Sequence, residues 1–261
     1  MHVQIKTKER TCESHGMTYT STLWALPESK APTLLRQFWS NCPKCNQVFG
    51  EYSSNRNPDH SRNERDRIQK EDAGIPARFA TSDMASWIHT MDQQRAIWRW
   101  VRKYIDNFDQ ALETGRSVVF LGHTGTGKTH MAIAVLANLL SQGHTGAYTT
   151  VMDMLSRFKD TYNQKSKETE RAVMEDLTTC AILVIDEVGK QLDTAYESAQ
   201  LFRVLDRRYC GTLPTLLVSN LDRKGLKEFL GEPIVDRLGD KGGKFLTFDW
   251  GSHRGKQCQK N

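Results

Sequence analysis

The sharpest chemical signal in the chain is Gly122-His-Thr-Gly125-Thr-Gly127-Lys128-Thr129, which fits the pattern G-x4-G-K-[ST]. Glycines in such a loop let backbone N–H groups turn inward around phosphate oxygens. A helix that starts at the lysine adds partial positive charge from its N-terminus. Lys128 can reach the β- and γ-phosphates of ATP, and the Thr129 hydroxyl can bind Mg²⁺. Asp186-Glu187 closes a second apolar run, Ala181-Ile-Leu-Val-Ile185. Asp186 can hold the same Mg²⁺, directly or through water. Glu187 can polarise the attacking water, because adjacent side chains at an extended chain end point to opposite sides. A third run, Thr215-Leu-Leu-Val-Ser219, ends at Asn220. That amide can hydrogen-bond the γ-phosphate or the lytic water, the role called sensor 1, although Asn also starts turns.

A second constellation sits near the start of the chain. Cys12-Glu-Ser-His15 and Cys42-Pro-Lys-Cys45 offer C-x2-H and C-x2-C. Two such loops supply the four ligands of a tetrahedral Zn²⁺ site. Four protein ligands leave no open position, so the expected role is structural. His60 is a weaker substitute for His15. Cys180, Cys210 and Cys258 are scattered singly.

The elements that must position these groups are legible around them. Ser117-Val-Val-Phe-Leu121 reads as a buried parallel strand entering the glycine loop. Met131 to Leu140 reads as an Ala/Leu-rich helix ended by Gly143. Strand, glycine loop and helix in that order are the context the motif requires. The runs at 181–185, 215–219 and 244–248 add strands, so the expected fold is a three-layer α/β core with a parallel sheet. Tyr52 to Asp72 is almost wholly polar and reads as a linker whose later part, Arg62 to Glu71, forms a solvated helix. The expected division is a zinc-binding module at 1–51, a linker at 52–72 and an ATPase domain at 73–261.

Composition supports a folded chain and excludes other classes. In 261 residues, 38% are hydrophobic and 26% charged, which excludes a wholly disordered chain and a membrane protein. The longest apolar run, Met131 to Leu140, is half a transmembrane span and contains Asn138. MHVQIKTKER lacks the apolar core of a signal peptide, so the expected compartment is the cytoplasm, with thiols free or metal-bound. Residues 1–72 hold 11 basic and 9 acidic residues, and the remainder 25 and 22. The net charge of +5 is thus shared almost evenly, which argues against a nonspecific basic coat for DNA.

GHTGTGKTH, ILVIDEVG, LFRVLDRRYCGTLPTLLVSN and PIVDRLGDKGGKFLTFDWGSHR resemble, in order and spacing, the DnaC-type bacterial helicase loaders. These are AAA+ ATPases related to the initiator DnaA, and the likeness spans roughly residues 73–261. It implies an AAA+ core, with Arg237 as an arginine finger that completes a neighbour's ATP site and Arg254 as the sensor 2 residue. It also implies self-assembly through the ATP site, a hexameric replicative helicase as partner, and contact with single-stranded DNA. Tyr162, at the end of Val151–Tyr162, occupies the place of the family's aromatic DNA contact, and Thr194 and Tyr196 resemble a second contact pair. With about 40 residues after Asn220, the C-terminal lid of bacterial AAA+ proteins is expected to be missing.

Physical readings of the same residues stay open beside the resemblance. Arg207 and Arg208, on a helix of Tyr196–Arg208, are rival fingers. Phe158 and Tyr162 are spaced i,i+4 and could form a core stripe; Leu155 and Phe158 fit the core, and Tyr162 fits a stacking platform with Arg157, Lys159, Lys165 and Lys167 near it. Leu34, Leu35, Phe38 and Trp39 could share helix faces that grip the helicase, or pack against the zinc knuckle. Two other functions fit the motifs: a transposition helper ATPase of IstB-like type, and a zinc-bearing DNA-binding regulator that uses ATP as a switch.

Overall fold

The structure, a computed structural model, describes residues 3–11, 18–25, 37–39, 67–87, 90–163, 166–189 and 195–252. The chain divides into two compact units, Met1–Arg65 and Asp66–Asn261.

The first unit contains an antiparallel sheet in the order β1-β2-β3, formed by Val3–Thr11, Thr18–Ala25 and Gln37–Trp39. Thr11 pairs with Thr18 at one end of the β1–β2 hairpin, and Trp39 pairs with Leu23. The helix on which Phe38 was to share a face with Leu34, and Trp39 with Leu35, is corrected here: Phe38 and Trp39 lie on a strand paired to β2. Leu34 and Leu35 lie outside the described residues.

In the second unit, residues 67–72 are helical. Gln69 Nε2 donates to Leu140 O at 3.0 Å, and Lys70 Nζ donates to Ala80 O at 2.7 Å. The last turn of the polar stretch is therefore docked on the larger unit rather than solvated throughout.

Five parallel strands follow: β4 (Val118–Gly122), β5 (Gly146–Thr150), β6 (Ile182–Val188), β7 (Thr215–Ser219) and β8 (Lys244–Phe248). They lie in the order β5-β6-β7-β4-β8. Helices cover both faces, so the central strands read as unbroken apolar runs. Alternate residues serve opposite cores. Val118 and Phe120 join α1 (Asp92–Asp106), α2 (Phe108–Thr114) and α3 (Lys128–Ser141). Val119 and Leu121 face the other way, toward α4 (Val151–Asp160), α5 (Glu170–Thr179), α6 (Ala195–Cys210), α7 (Arg223–Leu230) and α8 (Glu232–Gly239). Because the strands are parallel, the chain leaves β4, β6 and β7 at one edge of the sheet. Open α/β sheets bind ligands at that edge.

Candidate nucleotide site

The glycine loop spans the gap between β4 and α3. Gly125 and Gly127 have φ of +84° and +94°, conformations that favour glycine. Space enforces the same choice: a Cβ at Gly125 would lie 2.0 Å from Ser252 Oγ, and one at Gly127 would lie 2.6 Å from the Trp87 ring. Trp250 Nε1 donates to Thr126 O at 3.0 Å, so the segment after β8 lies against the loop. Lys128 is 5% exposed, and its Nζ donates to Gly122 O and His123 O, each at 2.7 Å. The cation is thus held at the loop. No side chain caps the start of α3. That leaves the end of the helix, with its partial positive charge, available to an anion.

The loop and the acidic strand end meet directly. Thr129 Oγ1 donates to Asp186 Oδ2 at 2.8 Å, and Asp186 is 4% exposed. A hydroxyl and a carboxylate side by side are hard oxygen ligands of the kind Mg²⁺ selects. With the lysine and the uncapped helix, this donor set fits magnesium–ATP. Tyr148, on β5, also donates to Asp186 Oδ2, at 3.0 Å. No motif pointed to it.

The expected extended geometry of Asp186-Glu187 is corrected. Pairing of β6 with β7 shifts register between Ile185 and Val188, and Glu187 has φ of +61°. A bulge, not strand alternation, separates the two carboxylates. Glu187 N donates to Asp186 Oδ1 at 2.7 Å across that turn. Asn220 is exposed at the tip of β7, between the loop-bearing strand and the acidic strand. Its neighbour Ser219 is buried and ties β7 to β6 by donating to Val188 O at 2.6 Å.

The arginines separate by burial. Arg208 is fully buried and is a structural residue, which removes it as a rival finger. Arg207 is exposed. Arg237, on α8, pairs with Asp206 on α6, and its guanidinium lies 5.4 Å from the Tyr209 ring. These contacts are with α6 rather than with the glycine loop of its own chain.

Comparison with known proteins agrees with this architecture. The model of the IstB-like ATP binding protein family matches residues 103–247. The replicative helicase loader DnaC of Buchnera aphidicola subsp. Acyrthosiphon pisum is 36% identical over 182 residues, 70% of this chain and 73% of that protein. The chain belongs to the IstB-like, DnaC-type family of AAA+ ATP-binding proteins. Solved structures show the same fold. The DnaC helicase loader aligns with a TM-score of 0.59 at 21% identity, over 66% of this chain and 99% of that one. The initiator DnaA, solved with AMPPCP and single-stranded DNA, aligns with a TM-score of 0.55 at 16% identity, over 65% and 50%.

In this DnaC-type chain, Tyr162 is 62% exposed, while Leu155 and Phe158 are buried in the core. The Tyr162 ring lies 6.0 Å from that of Tyr196, and its hydroxyl lies within hydrogen-bond distance of Tyr196 Oη, at 3.0 Å, and of Glu170 Oε2, at 3.2 Å. Of the cations expected near it, Lys167 is exposed, while two are held by ion pairs. Arg157 is bound by Glu168 and Asp176, and Lys159 by Glu197. Their charge is met by carboxylates within the chain. Arg254, Thr194, Cys12, His15, Cys42, Cys45, His60 and Lys165 lie outside the described residues. No described helix is long and apolar enough to cross a membrane.

Proposed function

We propose that this chain is an ATP-dependent loader of the replicative helicase onto single-stranded DNA. The observation that carries the reading is the hydrogen bond from Thr129 to Asp186, which joins the phosphate loop to the acidic strand in one buried site. Gly122, Gly125, Gly127 and Lys128 would hold the triphosphate. Thr129 and Asp186 would hold Mg²⁺, which neutralises phosphate charge when bound. Glu187 and Asn220 would position water at the γ-phosphate. Arg237 would serve a neighbouring protomer, and Arg254 the site of its own chain. Hydrolysis is therefore slow until assembly with helicase or DNA brings a neighbour's finger to the site. Tyr162, Thr194 and Tyr196 would stack with unpaired bases, each contact worth ~1–3 kcal/mol.

A loading assay on single-stranded DNA tests this. Lys128→Ala is expected to abolish ATP-dependent loading while still binding the helicase. Loading at the wild-type level by this variant would refute the mechanism. The family description also fits a transposition helper, and capture of a transposase in place of helicase would decide for that reading.

The N-terminal unit would grip the hexameric helicase and carry Zn²⁺ on Cys12, His15, Cys42 and Cys45. The spacing of the two ligand pairs supports the metal reading. Thr11 and Thr18 are paired at one end of the β1–β2 hairpin, and β3 runs antiparallel to β2, so it heads for that same end. The sequence places the C-x2-H pair between Thr11 and Thr18, and the C-x2-C pair just after Trp39. Elemental analysis of the full chain should find one Zn²⁺ per protomer, lost in Cys42→Ser together with helicase binding. A metal-free wild-type chain purified without chelator would refute it.

A further inference from the structure

Asp186 is held from three elements. Thr129, at the start of α3, and Tyr148, on β5, both donate to Oδ2, at 2.8 and 3.0 Å. The backbone N–H of Glu187 donates to Oδ1 at 2.7 Å. Two of these donors belong to motifs whose spacing identifies them. Tyr148 belongs to none.

The placement of Tyr148 is specific. In the β5–β6 register, Thr150 lies opposite Asp186 and Tyr148 opposite Val184. Tyr148 is thus offset from Asp186 by two positions, a diagonal that an aromatic side chain can span. The ring packs partly buried against the core shared with α3. The strand that carries it is pinned in turn: Tyr148 N donates to Ala73 O at 2.7 Å. A phenol ordinarily titrates at about 10, so at neutral pH the hydroxyl keeps its proton and is a donor.

A carboxylate at a strand end can rotate about two side-chain bonds. Glu187 N restrains one oxygen. Thr129 donates to the other oxygen, but in the proposed site its hydroxyl must also turn a lone pair toward the cation. A second donor on Oδ2 that does not itself face the cation therefore fixes the carboxylate plane. We propose that Tyr148 is the positioning residue that holds Asp186 in the orientation needed to bind Mg²⁺ with ATP. Groups that hydrogen-bond a metal-ligating carboxylate orient it and tune it, and losing them costs about 10–100-fold in metal affinity. The inference rests on the proposed role of Asp186 toward Mg²⁺.

The test uses the full chain, a fluorescent ATP analogue and a Mg²⁺ titration, with Tyr148→Phe and Asp186→Asn. Tyr148→Phe keeps the ring and removes only the donor. The half-saturating Mg²⁺ concentration is expected to rise about 10-fold. Analogue affinity in EDTA and the thermal unfolding midpoint are expected to stay unchanged. An unshifted Mg²⁺ titration for Tyr148→Phe, with Asp186→Asn strongly shifted, overturns the positioning role and leaves the metal reading intact. An unshifted titration for Asp186→Asn overturns both. Equal weakening with and without Mg²⁺ marks a merely structural tyrosine and also overturns the role.

Discussion

Replacing Arg237 by alanine is expected to lower ATP turnover of the assembled protein about 10³-fold or more, while nucleotide binding by the isolated chain is unchanged. Fingers of this kind contribute about 10³–10⁵ in rate by neutralising charge on the transferring phosphoryl group. The geometry supports a residue that acts on another protomer. Its guanidinium is pinned by Asp206 and stacked near Tyr209, both on α6, and makes no contact with its own glycine loop. At about one-third exposure it is accessible to a partner and steadied by its own chain. Mixing gives the decisive measurement. A Lys128→Ala chain keeps the proposed finger and has a defective loop, and an Arg237→Ala chain has the reverse. Neither is expected to turn over ATP alone, and a mixture should recover activity at junctions where an intact loop meets an intact Arg237. If mixtures stay inactive, or if Arg237→Ala weakens nucleotide binding by the isolated chain, the trans assignment fails.

Replacing Arg208 by leucine is expected to destabilise the larger unit by roughly 3 kcal/mol or more, without changing the chemistry of molecules that remain folded. Arg208 is 0% exposed, and none of its acceptors is a carboxylate. Its guanidinium donates to Thr215 Oγ1 at 3.1 Å, Leu177 O at 2.9 Å, Cys180 O at 3.1 Å and Pro214 O at 2.6 Å. It therefore joins the end of α5, the entry to β7 and its own helix, α6. Burial also pushes the nearby Cys180 thiol up, so that group stays neutral and offers no counter-charge. Leucine would leave several buried carbonyls without donors, at about 1–3 kcal/mol for each unsatisfied group. Lysine should not rescue it, because an ammonium on a flexible stem lacks the planar fork that serves these directions at once. Denaturant titration should show a lower midpoint with an unchanged slope. A wild-type midpoint would mean that the network contributes nothing net.

These two arginines mark the boundary between what sequence and structure each decide. Arg207, Arg208 and Arg237 all stood as finger candidates. Burial removes Arg208 from that set, and burial depends on which distant elements pack together. The glycine loop was legible in full because its chemistry is local: the glycines, the lysine and the helix start follow one another along the chain. The two apolar strands ending at Asp186 and Asn220 were legible for the same reason. The turn at Glu187 was not, because a run of apolar residues ending in Asp-Glu carries no mark of the bulge that interrupts its pairing with β7.

Charge shows the same limit. Arg157 and Lys159 look like free cations in sequence, yet Glu168, Asp176 and Glu197 meet them in the fold. Tyr148 gave no signal at all, since its partner lies 38 residues away on the neighbouring strand. By itself, the sequence determined the phosphate loop, the acidic strand end and the layered α/β class, because each is written in local spacing and periodicity, while the family came from the resemblance of whole segments to known loaders. The tertiary structure alone decided the strand order, the bulge at Glu187, the burial of Arg208, the pairing of Arg237 with Asp206 and the grip of Tyr148 on Asp186. Each of these depends on groups far apart in the chain sharing one low-dielectric space, where a single hydrogen bond or ion pair fixes what a side chain can do.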